Sequence, residues 1–127
     1  MAGTPSKPLA GVHVIVVDDH DDTRDVLEQA LQFQGALVTS VATAREALAA
    51  VGEADVVVSD LVMPREDGVW LLEQINRQPR RIPVIVLTGF TASQQPRLAA
   101  APFALKLLKP VDPFALGAEI LNVLARR

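Results

Sequence analysis

The 127-residue chain contains no cysteine. That removes disulfide staples and thiolate metal sites from consideration. It also lacks any excess of basic charge, because 12 Lys and Arg stand against 15 Asp and Glu, a formal charge of −3. No nucleic acid binding and no attraction to an anionic membrane are expected from that balance. No apolar run is long enough to span a bilayer, and residues 1–8 hold no signal-peptide hydrophobic core. A cytoplasmic protein is the expectation. Disorder is excluded as well, since 50% of the residues are hydrophobic and 21% are charged. The length suits one compact domain with a real core.

Residues 1–8 are small, polar and broken by proline, which predicts a flexible N-terminal tail or linker, with the folded domain over 9–127. From Leu9 onward short apolar runs alternate with helical patterns. The runs expected as strands are 12–17, 37–41, 56–60, 84–88 and 103–108. The first helix is expected over 22–34, with Val26, Leu27, Ala30 and Leu31 facing inward and Gly35 as its stop. Thr43 is expected to cap a short alanine-rich helix ending near Val51. A third helix over 66–77 should bury Val69, Leu72 and Ile75. Ser93 or Thr91 is expected to cap a fourth, with Pro96 in its first turn. Asp112 and Pro113 open the last, which runs to the C-terminus. Five strand–helix units in succession predict an α/β fold, a doubly wound five-stranded parallel sheet with helices on both faces. The Val/Ile/Leu content of the first, third and fourth runs fits strands buried on both sides.

The residues that end these runs are the informative ones. Asp60 closes an apolar run and leads directly into Leu61-Val62-Met63-Pro64-Arg65-Glu66-Asp67-Gly68. A carboxylate at the mouth of a buried strand, before a loop closed by Pro and Gly, is placed to react rather than to pack. Asp18 and Asp19 end the first run in the same way. In one parallel sheet the three carboxylates gather at one edge, where they repel each other unless a cation sits among them. An all-oxygen site suits Mg²⁺. Thr88 ends another run and Lys109 a further one. Carboxylates, a hydroxyl, a lysine and a divalent cation on one rim suggest phosphoryl chemistry, and that rim is where such sheets bind ligands.

Taken singly, each residue has a plainer reading. Asp18 and Asp19 would be a loop start and a helix cap, Thr88 a β-branched strand residue, and Lys109 a solvated lysine. Only the set raises them. His20 reads as a surface loop residue and His13 as a packed, hydrogen-bonded histidine. Lys106 reads as an edge-strand lysine that discourages pairing with another sheet. Two readings of Trp70 stay open, a cover for the core edge or a partner contact.

Four segments in order carry a family resemblance: Val16-Val17-Asp18-Asp19, then Asp60 with Met63-Pro64 and Gly68, then Leu87-Thr88-Gly89, and finally Leu108-Lys109-Pro110. Over residues 10–127 the chain resembles the receiver domain of two-component response regulators. The resemblance implies a flavodoxin-like sheet of strand order 2-1-3-4-5 and a regulatory module rather than an enzyme. It implies that Asp60 accepts a phosphoryl group from a histidine kinase or phosphotransfer protein. Asp19, Asp60 and the backbone carbonyl of Val62 would bind Mg²⁺, with Asp18 holding a metal-bound water. Thr88 and Lys109 would each contact a phosphoryl oxygen, and the Lys109–Pro110 peptide would be cis. Two departures stand out. Lys106 occupies a position where the family usually carries Tyr or Phe. Val62 and Phe90 are apolar where related domains often guide water, which predicts slow loss of the phosphoryl group.

Other functions fit less well. A phosphatase of the haloacid dehalogenase type wants a second Asp where Val62 stands. A flavodoxin-like cofactor binder wants a Gly-rich or Ser/Thr-rich loop after the first strand. The alternative that Lys106 keeps alive is a receiver-like interaction module with altered or lost phospho-switching. The chain is expected to be either a single-domain regulator or a receiver cut from a longer protein such as a hybrid kinase, with an output partner the sequence does not name.

Overall fold

A computed structural model of the chain describes residues 7–89 and 95–126. Five strands, β1 (His13–Val17), β2 (Leu37–Val41), β3 (Val56–Asp60), β4 (Val84–Thr88) and β5 (Leu105–Leu108), alternate with five helices. The helices are α1 (Asp21–Phe33), α2 (Ala44–Ala50), α3 (Gly68–Asn76), α4 (Pro96–Ala100) and α5 (Pro113–Arg126). All pairings are parallel and the strand order is β2-β1-β3-β4-β5, as the resemblance implies.

Period-two alternation divides the core into two layers. Val14, Val16, Val56, Val58, Ile85 and Leu87 point toward α1 and α5, where Leu27, Leu31, Leu116, Ile120 and Val123 cover them. Ile15, Val17, Val57, Val84 and Val86 point to the opposite side, against Ala44, Ala47, Val69, Leu72, Ile75 and Leu98. The three central strands are therefore buried on both faces. At about 25 cal/mol per Å² of apolar surface removed from water, each such side chain contributes roughly 1.5–3 kcal/mol.

The edges and ends show where local physics departs from the expected pattern. Val26, expected inside, is 56% exposed. Only the Leu27–Leu31 stripe, spaced i,i+4, meets the sheet, and Val26 lies about 100° around the helix from it. Gly35 does stop α1. Its φ of 103° belongs to the left-handed region. The bonds Gly35 N–H to Gln32 O and Ala36 N–H to Leu31 O close the end. α3 starts two residues later than expected because Asp67 caps it, its carboxylate accepting from Trp70 N–H at 2.9 Å. β5 starts at Leu105 because Phe103 N–H turns back to Ala101 O. Thr43 caps α2, and Asp112 accepts from Phe114 N–H at the start of α5.

α4 differs most from expectation. The proposed caps Thr91 and Ser93 lie outside the described residues, as does Phe90. The helix has five residues, Pro96 in its first turn, no side-chain cap at Gln95, and Leu98 as its buried residue. So short a helix has little intrinsic stability. Amide exchange in 98–101 should therefore be faster than in the core of α1 by at least about tenfold, measured by hydrogen–deuterium exchange. Equal protection of the two helices would contradict this account.

Candidate functional site

The register fixes which residues meet. β1 pairs with β3 so that Val17 lies beside Ser59, which sets Asp18, the next residue, level with Asp60. β3 pairs with β4 at Asp60–Leu87, and β4 pairs with β5 at Thr88–Leu108. Thr88 thus falls one step beyond Asp60 and Lys109 two steps beyond it on the same rim, and Lys109 N–H donates to Thr88 O at 2.8 Å. The neighbours of β1 are β2 on one side and β3 on the other, so the carboxylates lie at the reversal of strand order.

Oxygen and nitrogen donors of Asp18, Asp19, His20 and Asp60 lie within 4.8 Å of one another. Asp18 and Asp60 are buried, whereas Asp19 is partly open. Lys109 Nζ sits 2.9 Å from Asp60 Oδ1, with its own side chain 34% exposed. Burial pushes the Asp60 carboxyl above its ordinary range. The hydrogen bond and charge of Lys109 oppose that shift, and the neighbouring charges of Asp18 and Asp19 add to it. Asp19 Oδ1 is buried and receives no hydrogen bond. The His20 ring nitrogen lies 3.4 Å from it without the alignment of a bond. A buried anionic oxygen with no donor, next to two more carboxylates, fits a cation. The donor set of this rim therefore suits a divalent metal. Thr88 is buried at the end of β4, and the Lys109–Pro110 peptide is cis. Val62 follows β3 with its side chain exposed.

Several supporting residues lie beyond the reach of sequence pattern. Arg24, on the second turn of α1, donates to the Asp18 carbonyl at 2.8 Å and to Asp21 Oδ1 at 2.6 Å, fastening the backbone that carries the acidic pair. His20, expected to be a surface loop residue, does expose its ring. Even so, its backbone N–H donates to Asp18 Oδ1 at 2.8 Å and its Nδ1 lies 3.3 Å from the same oxygen. Arg97 of α4 pairs with Asp67 Oδ2 at 2.8 Å, tying that helix to the loop after β3. Arg65 in the same loop adopts a φ of 69°, a conformation that costs a non-glycine residue about 1 kcal/mol. His13 behaves as expected, its Nε2 bonded to Thr39 Oγ1 at 2.9 Å. Trp70 is half-buried against the core, with the Arg45 guanidinium over its ring. Lys106 is exposed and turned away from the acidic rim, its Nζ 3.3 Å from the Ala99 carbonyl near the end of α4.

Comparison with known proteins gives this rim a family. Residues 14–121 match the response regulator receiver domain. A 14.6 kDa protein from the sodA1 3′ region of Leptolyngbya boryana is 40% identical over 114 residues, 85% of this chain and 86% of that protein. The response regulator SaeR of Staphylococcus aureus is 30% identical over 90% of this chain, which spans 51% of SaeR. The chain is thus about half the length of that relative. The chemotaxis response regulator CheY4 of Vibrio cholerae superimposes with a TM-score of 0.79 at 29% identity, over 88% of this chain and 98% of that one. The signal receiver domain of a signal transduction histidine kinase from Syntrophus aciditrophicus gives 0.82 at 26% identity, over 91% and 92%. The chain belongs to the response regulator receiver domain family, the phospho-accepting modules of two-component signalling.

Proposed function

We propose that Asp60 is the phosphoryl acceptor of this receiver, with a histidine kinase or a phosphotransfer protein as donor. The observation that carries the reading is the Asp60 carboxylate, buried at the end of β3, paired with Lys109 at 2.9 Å and flanked by Asp18 and Asp19. An Asp60 oxygen forms the new P–O bond as the donor's P–N bond breaks. Lys109, already in contact with that carboxylate, is placed to neutralise an equatorial phosphoryl oxygen, and Thr88 to hydrogen-bond another. Asp19, Asp60 and the Val62 carbonyl would hold Mg²⁺, with Asp18 acting through a bound water. That ion supplies the positive charge that lets a phosphoryl group approach three carboxylates. Asp18 and Asp19 act by charge and position, so the module assists its own phosphorylation without turning over a separate substrate. The receiver would occupy residues 9–127, with 1–8 leading into it. Its setting would be the cytoplasm, its output a protein partner, and nucleic acid contact would lie outside this domain. Among the described residues no helix is long and apolar enough to cross a membrane.

Incubation with a small acyl-phosphate donor and Mg²⁺ should add one phosphoryl group by intact mass, and chelator should prevent it. Uptake that ignores chelator would count against the reading. Lys106 supplies a sharper check. Its contact with Ala99 is at the C-terminal end of α4, where a cation is favoured. Lys106→Ala should therefore leave the phosphorylation rate within about twofold while speeding amide exchange in α4. A loss near tenfold, equivalent to about 1.4 kcal/mol of barrier, would mean that the ammonium turns toward the acidic rim.

A further inference from the structure

We infer that His20 is a nitrogen ligand of the cation site, and that it tilts this receiver toward transition cations such as Mn²⁺, Co²⁺ and Ni²⁺ relative to Mg²⁺. The inference rests on the reading of the acidic rim as a cation site. Its own support is the placement of the imidazole. Nδ1 lies 3.3 Å from Asp18 Oδ1 and 3.4 Å from Asp19 Oδ1. Neighbouring ligands on an octahedron with bonds of about 2.1 Å stand about 3.0 Å apart, and opposite ligands about 4.2 Å. The ring nitrogen is therefore spaced from Asp19 Oδ1, the carboxylate read as a direct ligand, close to the way an adjacent vertex would be, while Asp18 Oδ1 lies beside it in the outer position of a group acting through water. All four donors fall within 4.8 Å. One of the two oxygens it faces, Asp19 Oδ1, is the buried atom left without a hydrogen bond.

The backbone holds the ring in this place. His20 N–H donates to Asp18 Oδ1, and His20 O accepts from Arg24 N–H at 3.0 Å in the first turn of α1. The side chain is 69% exposed, so with a cation bound Nε2 can carry the imidazole proton in contact with water, and Nδ1, which otherwise donates to Asp18 Oδ1, can offer its lone pair inward. Mg²⁺ prefers oxygen and gives up its water reluctantly, so it gains little from an imidazole. Affinity for a nitrogen ligand rises from Mn²⁺ through Co²⁺ to Ni²⁺. The only other histidine, His13, is occupied by Thr39 within β1, so it does not compete for the same ion.

The test uses tag-free full-length protein, titrated calorimetrically with Mg²⁺, Mn²⁺, Co²⁺ and Ni²⁺ as chlorides. His20→Ala should weaken Co²⁺ and Ni²⁺ by about tenfold, Mn²⁺ by less, and Mg²⁺ by under twofold. Pulsed EPR of the Mn²⁺ form should show imidazole nitrogen coupling that disappears in His20→Ala and stays absent in His20→Gln. Equal losses for all four metals, unchanged affinities, or missing nitrogen coupling in the wild type would overturn the inference while leaving the cation site intact. A rise in affinity for every metal would also overturn it, by showing that His20 acts as a competing positive charge. Absence of binding by any of the four would reject the cation site itself, and this ligand with it.

Discussion

Asp60→Asn should take up no phosphoryl group under conditions that label the wild type fully, and should leave a protein that melts at a higher temperature at neutral pH. The first effect follows from nucleophilicity, because an amide oxygen or nitrogen does not form an acyl-phosphate. Carboxylate oxygens of Asp18 and Asp19 lie within 4.8 Å of one of Asp60, yet neither carries a contact like that of Asp60 with Lys109. Intact mass followed by peptide mapping gives the result. A phosphoryl group that moves to Asp18 or Asp19 in the variant would show that the rim, rather than one residue, supplies the acceptor.

The second effect follows from charge. Burial, with the repulsion of Asp18 and Asp19, raises the Asp60 carboxyl above its ordinary value of 3.8, and Lys109 only partly opposes this. The folded state therefore holds that proton more tightly than the unfolded chain, and ionising Asp60 costs folding free energy. The penalty is complete above the raised value, shrinks as pH falls through it, and is gone below 3.8. Asn removes the penalty, and the partly exposed Lys109 can turn to water when its partner goes. In chelator, the stability advantage of Asp60→Asn should be largest at neutral pH and should narrow as the solution is acidified toward 3.8. An advantage that widens on acidification would reverse the sign assigned to the Asp60 environment.

Much of the fold was legible in the sequence, because a parallel sheet buried on both faces leaves a coarse signature. Val56–Asp60 and Val84–Thr88 read as strands with the bounds they adopt, since every residue in them is buried. That these residues meet on one rim was legible for a related reason, since Asp18, Asp60, Thr88 and Lys109 each end such a run and parallel strands end on the same side. What escaped depends on contacts across distance in the chain. Arg97 reaches Asp67 across 30 positions, and nothing near either residue announces the pair. The place of Arg24 depends on how α1 leaves β1. The exposure of Val26 depends on how little of α1 the sheet covers. His20 shows the limit most clearly, because a histidine after two aspartates looks like ordinary loop until the chain folds its ring back over them.

Gly68→Ala should destabilise the protein by about 1–3 kcal/mol and slow phosphorylation about tenfold, although alanine is the better helix former. Gly68 is the first residue of α3, and its N–H donates to Leu61 O at 2.8 Å. That bond draws the start of the helix against the end of β3. A Cβ on residue 68 would stand 2.8 Å from the Asp60 carbonyl oxygen and 3.1 Å from Leu61 Cα. Both obstacles are backbone, so neither can rotate aside as a flexible side chain would. Either α3 lifts from the strand, loosening Val69 and Leu72 in the core, or the end of β3 shifts and carries Asp60 with it. Lower backbone entropy in the unfolded chain returns roughly 0.5–1 kcal/mol, less than overpacking removes. A displacement near 1 Å at a reacting carboxylate can cost up to about a hundredfold in rate, so tenfold reflects a smaller shift shared between helix and strand. Gly52→Ala is the control, since no heavy atom beyond its own chain neighbours lies within 4 Å of the added methyl; it should change stability by no more than about 0.5 kcal/mol. Chemical denaturation and a phosphorylation time course on the two variants decide the point. If Gly68→Ala matches Gly52→Ala in both, the close approach of α3 to β3 does not position Asp60.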